Sequence, residues 1–595
     1  MIVLGLSPNH DASVCIVIDG KIVSAITRER LSRKKKDRYV TQRMLDYVLN
    51  HAGITIDDVD YVAVTYWYKN PMDWVNKNED FKLYISEEDI EIFSPRYSPN
   101  SFDPFKPIKP KLVEGLGYEI EGDLVYLAPP FTYHPHDSVP IKFELYGRVI
   151  PGWFVSHHHA HASSAFFTTN LERSAIFTAD VTDINPYCSS LFAWGEGNRI
   201  ETLSYPGVMI GHAYSLFTEL LNIGSSLYKA GSTMGLAPYG TVDPEIKEKI
   251  NEFTKSFWEK NFDGDEWRWV YNLFMQVTGK TVRRLNVQFP EAFYNEYVCD
   301  YFLKNGADCK DGIDAAATIQ YIFEETMFRF INKLYEDSKK INDGNLCLAG
   351  GSFLNCTTNG KIHLRTPFQN VFPYPGASDD GLSVGSALFV THHILDIPRQ
   401  IKSVSEVVYT GRKYETPEGG KPLDLEFVAK SINEGKLIAW FQGGSEFGPR
   451  ALGNRSFLAN PTSPTMRDYI NNQIKNREWY RPFAPSVCFE DVEKYFDLKG
   501  ESPYMLKVCN VLTNKFPAVT HVDNSARVQT VKQSDNPKFY ELLRTFEKYS
   551  GFPILLNTSL NLSDEPIVET PNDAIRLFYR SKTNILVINN SMWVK

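Results

Sequence analysis

The 595-residue sequence predicts an α/β protein of two domains, the first of them a duplicated nucleotide-binding fold. Three observations carry this. Single hydrophobic cores stop growing near roughly 250–300 residues, so a chain of this length divides. The opening IVLGLS and ASVCIVIDGKIVSAIT are β-branched runs around Asp19-Gly20, the dipeptide that favours a type I′ hairpin; the layout returns in SAIFTADVTD and CSSLFAWGEGNRIETL, again strands around a Gly-containing turn. Near 398–424 the chain turns polar and Pro/Gly-bearing before a fresh α/β segment opens at FVAKSINEGKLIAWF, which places the domain boundary at about residue 400 and divides the chain into 1–400 and 401–595.

Between these landmarks, residues 66–150 are irregular and rich in aromatics and prolines, the pattern of a lid or substrate wall. Residues 241–345, with stretches such as IQYIFEETMFRFINKLYED, predict a helical layer. No low-complexity tract or tandem repeat is visible.

Composition bounds the function classes. The chain is 43% hydrophobic and 23% charged with net charge -9, ordinary for a globular protein and contrary to the basic footprint of a nucleic-acid binder. The one dense basic run, Arg33 to Arg38 (RKKKDR), reads as a solvated turn diluted by Glu29 and Asp37. Eight scattered cysteines include no CxxC pair and predict reduced thiols. The opening MIVLGLSPNHDAS carries no signal-peptide pattern, and Thr202 to Thr218 is broken by Pro206, Gly207, Gly211 and His212, so the expectation is a cytoplasmic protein without a membrane partner.

Four segments carry chemistry. In SHHHAHASSAF, His157 and His161 stand four apart and share one helix face, a spacing that can hold one metal ion or can be a capped histidine cluster. Two acidic loops follow strand-like runs, FTADVTD with Asp180 and Asp183 and PGASDDGLSVG with Asp379 and Asp380, and imidazole with carboxylate suits iron, manganese or zinc. LCLAGGSFLNC breaks at Gly350-Gly351, where missing side chains allow either close approach to a ligand or a tight turn. In FQGGSEFGPRALGNRSFLANP and IKNREWYRPFAPS, Arg450, Arg455, Lys475, Arg477 and Arg481 lie among glycines and prolines, suited to phosphate or carboxylate. LLNTSLN adds Asn557, Thr558 and Ser559, short polar groups able to bond an amide or phosphate.

In order, LGLSPNHDAS, HHHAHASSAF, MGLAPYG, LAGGSFLNC, DDGLSVGSAL, FGPRALGNRS, RPFAPS and NTSLN resemble the O-carbamoyltransferase family of the nodulation-factor, cephalosporin, aminoglycoside and ansamycin enzymes. The resemblance runs nearly end to end. It implies an actin-like (ASKHA) ATPase-type N-terminal domain and a smaller YrdC-like α/β C-terminal domain. It also implies that carbamoyl phosphate and ATP, with Mg2+, give carbamoyl adenylate and pyrophosphate in the second domain, after which a hydroxyl of a small molecule takes the carbamoyl group in the first and AMP leaves. Carried over residue by residue, His157, His161, Asp180 and Asp379 would hold a divalent metal, foremost Fe2+, with Mn2+ or Zn2+ as alternatives. His10 and Asp180 would serve catalysis, with His10 positioning or deprotonating the acceptor. Gly350, Gly351 and Asn355 would line the N-terminal nucleotide, and Arg450, Arg455, Lys475, Arg477, Arg481, Asn557 and Ser559 would hold carbamoyl phosphate and ATP. The implied assembly is a monomer or homodimer. The chain departs from the family pattern at Arg28-Glu29-Arg30 and at Ser232. Threonylcarbamoylation of tRNA, hydrogenase maturation and a non-enzymatic actin-like regulator are the competing readings, disfavoured by acidic charge, by missing CxxC fingers and by an opening strand in place of a DNA-binding helix.

Overall fold

The computed structural model describes residues 1–8, 10–66, 82–84, 111–113, 117–120, 123–125, 137–180, 189–208, 210–242, 244, 306–400 and 403–595. Asp19 and Gly20 both take positive φ, 48° and 82°, the backbone a type I′ turn demands. They join β2 (Ser13–Ile18) to β3 (Lys21–Thr27), and β2 pairs antiparallel with β1 (Ile2–Ser7). On its other side β1 runs parallel to β4 (Tyr61–Tyr66). The sheet's far edge is formed by β5 (Lys82–Tyr84), while β6 (Lys111–Val113), β7 (Gly117–Ile120) and β8 (Asp123–Val125) make a separate three-stranded sheet. Next to β5 lies β9 (Ser138–Leu145), and β10 (Arg148–Ser156) pairs parallel with β4. The seven-stranded order is β3-β2-β1-β4-β10-β9-β5.

A second sheet repeats the first. It contains β11 (Arg173–Ala179), β12 (Ser190–Glu196), β13 (Arg199–Ser204), β14 (Asn345–Ala349) and β15 (Asn370–Pro373), in the order β13-β12-β11-β14-β15. Order and strand directions match β3-β2-β1-β4-β10, with two antiparallel pairings followed by two parallel ones. Even the register shift recurs, between Ile16 and Val17 in one hairpin and Phe192 and Ala193 in the other. The duplication expected from the sequence is therefore present.

Each half ends its fifth strand in a helix. After β10 comes α1 (His157–Phe166), every residue of which is buried. The long α2 (Lys310–Ser338) covers the second sheet, with Phe330 beside Phe177 and Phe192. Helix α3 (Cys356–Arg365) follows β14, and α4 (Leu382–Leu388) follows β15. Helices α1 and α4 pack together across the junction of the halves, and a Cβ on Gly385 would overlap the carbonyl of Ala160.

The remaining chain builds an eight-stranded sheet from β16 (Lys421–Pro422), β17 (Ile438–Phe441), β18 (Arg455–Ala459) and β19 (Ala484–Cys488), interrupted by the small sheet β20 (Phe496–Asp497), β21 (Val508–Val511) and β22 (Ser525–Arg527). It is completed by β23 (Gln529–Val531), β24 (Ile554–Ser559), β25 (Ile585–Ile588) and β26 (Ser591–Val594). A continuous apolar core runs beneath it, from Val428 to Ile588.

Two sequence expectations change here. Residues 138–156, assigned in large part to an irregular segment, are paired strands of the first sheet, because VPIKFEL and VIPGWFV alternate around the Tyr146-Gly147 turn. Much of the aromatic segment and of the helical layer, 245–305, lies outside the described residues. Among the described residues no helix is long and apolar enough to cross a membrane.

Because α1 and α4 touch backbone to backbone at Gly385, Gly385→Ala should lower stability by about 1–3 kcal/mol through overpacking. A denaturant midpoint unchanged from that of the parent chain would count against this contact.

Candidate functional site

The duplicated topology brings first-strand ends and fifth-strand ends of both halves to one place. His157 and His161 come from α1 of the first half, and Asp379 from the loop that opens α4 of the second. Asp180 follows β11, and its counterpart after β1 is the His10-Asp11 segment. All four ligand candidates are buried, with donor atoms within 4.8 Å of one another. His161 Nε2 lies 3.2 Å from Asp180 Oδ2 and 3.6 Å from Asp379 Oδ1. His157 Nε2 lies 3.5 and 3.8 Å from the same two oxygens. These four imidazole–carboxylate separations are ones that two ligands of a single first-row cation, each about 2.1 Å from it, can have. Both carboxylate oxygens of Asp379 lack a hydrogen bond among the described residues.

Electrostatics agree with a cation site. Burial opposes ionisation of Asp180, yet its bonds to His157 and His161 hold the carboxyl well below the usual range. Burial likewise opposes a proton on His161, but Asp180 and Asp379 raise it to about 9. Without a cation the carboxylates thus share a proton with an imidazole.

The glycine loop serves this cluster. Gly350 has φ 95°, and a Cβ there would overlap the backbone of Ala179, while one on Gly351 would stand 2.8 Å from Asp180 Oδ1. Asn355 accepts from Thr358 N at 3.1 Å as the cap of α3 and exchanges hydrogen bonds with Gln320. Its side chain is spent on the helix.

His10 Nδ1 lies 3.6 Å from Asp379 Oδ2, and its Nε2 lies 3.5 Å from Asp11 Oδ2. Lys36 Nζ donates to Asp11 at 2.7 Å. This overturns the reading of RKKKDR as a solvated turn. Arg33 donates to the carbonyls of Ile567 and Pro566 at 2.6 and 2.7 Å, and Arg33, Lys36 and Tyr39 are left-handed, at φ 63°, 49° and 71°. Backbone strain at three positions in seven marks a segment held by its surroundings. Asp380 stands apart from the four candidates; burial and the charge of Asp11 raise it well above the carboxylate range. Asp183 lies outside the described residues.

A second charged group sits in the C-terminal region. Burial, then the charges of Arg481 and Arg527, depress Arg477 strongly, and burial with Arg527 lowers Arg450 to about 9. Arg481 donates to Ser232 Oγ at 2.8 Å and shares Glu478 with Lys229. Lys475 bonds Ser559 and Asn561, reaching Asn561 Oδ1 at 2.8 Å, and has no carboxylate partner among the described residues. Asn557 donates to Ser486 and Gln529 at 3.0 Å each. Arg527 was missed in the sequence because SARVQT has no glycine or proline punctuation. Among the described residues, the side chain of neither Arg450 nor Arg527 makes a hydrogen bond or ion pair.

Arg455 corrects the sequence reading. It is 0% exposed, lies over the Phe441 ring at 3.5 Å, and gives its guanidinium to the carbonyls of Gln442, Asn454, Gly443 and Glu569 at 2.6–3.4 Å. A guanidinium committed to four carbonyls in the core is a brace for β18, unavailable to a phosphate.

The chain thus combines a duplicated α/β unit, with a carboxylate–imidazole tetrad at its junction, and a further eight-stranded sheet beside clustered cations. The model described as "Carbamoyltransferase N-terminus" matches residues 2–388 and "Carbamoyltransferase C-terminus" matches 429–595. The chain belongs to the carbamoyltransferase family and is a transferase enzyme. It is 31% identical to nodulation protein NolNO of Sinorhizobium fredii over 98% of this chain and 78% of that protein. It is 32% identical to the Synechocystis protein sll1178 over 100% of this chain and 96% of that one. It is also 38% identical to the 3'-hydroxymethylcephem-O-carbamoyltransferase of Amycolatopsis lactamdurans over 39% of this chain and 45% of that enzyme.

Two outcomes follow from this geometry. A cation entering the tetrad must displace the His161 proton, so affinity for added Mn2+ or Zn2+ should rise with pH towards about 9, by up to about tenfold per unit. Calorimetric titration in buffers of different ionisation heat measures the proton released, and a pH-independent affinity between pH 6 and 8.5 would refute it. Arg455→Ala should cost about 3–5 kcal/mol, as the four carbonyls lose their partner in the core, read as a lowered unfolding midpoint.

Proposed function

We propose that the C-terminal cations join carbamoyl phosphate and ATP into carbamoyl adenylate, and that the N-terminal tetrad then serves transfer of the carbamoyl group to a hydroxyl of a small-molecule natural product. The observation that carries this reading is the pairing of a carboxylate–imidazole tetrad with a set of clustered arginines of which Arg481 alone has a carboxylate partner, Glu478, among the described residues. On this reading residues 1–400 form the actin-like transfer domain and 401–595 the YrdC-like adenylate-forming domain. The identical five-strand order of the two N-terminal sheets supports the first assignment.

Balancing the first step consumes water. Carbamoyl phosphate loses orthophosphate to give carbamate, whose oxygen attacks the α-phosphorus of ATP as the bond to pyrophosphate breaks. Arg450, Arg477, Arg481 and Arg527 would spread charge over the phosphate oxygens, and such charge is worth most where burial has already removed water. Burial lowers the proton affinity of Lys475 well below that of a free amine, and with only Ser559 and Asn561 as neutral partners its ammonium would gain a counter-charge from the ligand's phosphates. In the second step the acceptor oxygen attacks the carbamoyl carbon and AMP leaves.

His157, His161, Asp180 and Asp379 would hold a divalent cation, with iron, manganese and zinc all suited to two imidazoles and two carboxylates; bound there, it supplies Lewis acidity to developing oxyanion charge. His10, set between Asp11 and Asp379, takes the acceptor proton at a ring nitrogen. Lys36 fixes Asp11, and Asp11 in turn orients His10.

The test separates the two steps. Arg527→Ala should lower carbamoyl-phosphate-dependent pyrophosphate release tens to hundreds of fold, about 2–3 kcal/mol for a lost charged hydrogen bond. His161→Ala should leave that release within a few fold while mass spectrometry finds no carbamoylated acceptor. Both activities falling together in a folded His161→Ala chain would refute the two-site assignment.

A further inference from the structure

Beside the arginines lies an aromatic group that anion binding does not use. Trp479 is 48% exposed, although the next residue, Tyr480, is buried and the cation Arg481 follows directly after that. Its ring meets Tyr239 edge-on at 5.0 Å and Tyr480 at 5.5 Å. Tyr239 in turn meets His521 edge-on at 5.4 Å. His521 is 8% exposed, and neither of its ring nitrogens makes a hydrogen bond among the described residues, the nearest carboxylate oxygen being Asp523 Oδ1 at 3.6 Å. The Tyr480 hydroxyl and Arg450 Nε are likewise buried without a hydrogen bond.

These observations point one way. A buried imidazole, a buried phenol and a buried guanidinium nitrogen without a hydrogen bond are costly, by about 1–3 kcal/mol each where no ion pair offsets it, unless a ligand completes them. An indole half in solvent beside clustered cations offers an apolar face where a planar ring would be covered. The turn carrying His521 closes on Ser525, whose carbonyl accepts from His521 N at 2.8 Å, and two residues further on is Arg527. The chain thus brings an aromatic surface and an anion-binding residue to the two ends of one short turn.

We propose that Trp479, Tyr239 and His521 form the base-binding end of the C-terminal cation group, so that the ligand is a purine nucleoside phosphate, its ring stacked on Trp479 and its phosphates held by the arginines. This rests on the reading of that group as a nucleotide site. Tyr239, from the N-terminal half, backs Trp479 and fixes its plane, while His521 supports Tyr239 and offers a ring nitrogen at the base edge. Stacking tolerates any flat ring but favours the larger purine surface.

Calorimetric titration of the full chain with ATP, CTP and inorganic tripolyphosphate tests this, because tripolyphosphate carries the charge without the base. Trp479→Ala should weaken ATP at least tenfold, reduce its preference over CTP, and leave tripolyphosphate within twofold; Trp479→Phe should restore most of the ATP affinity. Equal losses for ATP and tripolyphosphate, or no loss at all, would overturn the proposal. Pyrophosphate release is scored separately: a chain whose ATP affinity depends on Trp479 but which releases no pyrophosphate with carbamoyl phosphate keeps the base site and loses the adenylate-forming reading.

Discussion

The contact on which the rest depends is the close approach of α1 to α4, made possible by Gly385 against the Ala160 carbonyl. One helix carries both histidines, and the other opens on Asp379. A side chain at the crossing would part them by more than the few tenths of an ångström a metal polyhedron tolerates. Glycine costs conformational entropy in a helix, about 1 kcal/mol relative to alanine, and here the close packing it permits offsets that cost. Gly350 and Gly351 play the matching part at β14, clearing space for the backbone of Ala179 and the carboxylate of Asp180.

Duplication explains why a tetrad arises at that crossing. Two copies of one strand order, facing each other, present equivalent strand ends to a shared cleft, in keeping with the general rule that open α/β sheets bind ligands at the carboxyl ends of their strands. Equivalent positions have diverged in chemistry. After the first strand stand His10-Asp11 in one half and Asp180 in the other; after the fifth stand His157 and Asp379. The cluster is thus mixed in charge, imidazoles from one half and carboxylates from the other, which is why Asp180 and His161 perturb each other so strongly.

What the sequence made legible follows from the range of each interaction. The hairpin at Asp19-Gly20 was readable because the turn chemistry is contained in two residues, and the shared face of His157 and His161 because helical spacing is local. Their meeting with Asp180 and Asp379 joins segments far apart in the chain, and spacing alone favoured a capped histidine cluster over a metal site. RKKKDR misled because its partners, Asp11 and the carbonyls of Pro566 and Ile567, are distant in sequence. Arg455 misled for the opposite reason: glycine punctuation around it suggested an anion-binding residue, whereas it starts a central strand and turns into the core. Arg527 had no local signal at all.

The junction of the two parts shows how a cation cluster persists without counter-charges. Arg30 donates to the carbonyls of Glu446 and Gly448 at 3.2 and 3.1 Å, and Arg33 to those of Pro566 and Ile567. Lys475 bonds the carbonyl and side-chain oxygens of Ser559 and Asn561. A carbonyl satisfies a donor's geometry but cancels none of its charge, whereas a carboxylate does both. Neutral acceptors therefore hold these side chains in place while preserving the positive potential, and Glu478, shared between Lys229 and Arg481, is an exception on the rim. Burial first, and mutual repulsion after it, lowers the proton affinity of Arg450, Arg477 and Lys475 in the ligand-free chain. On the proposed reading, an anion that relieves that repulsion would bind the folded chain alone, and occupancy of the site and cohesion of the two parts would be linked by mass action.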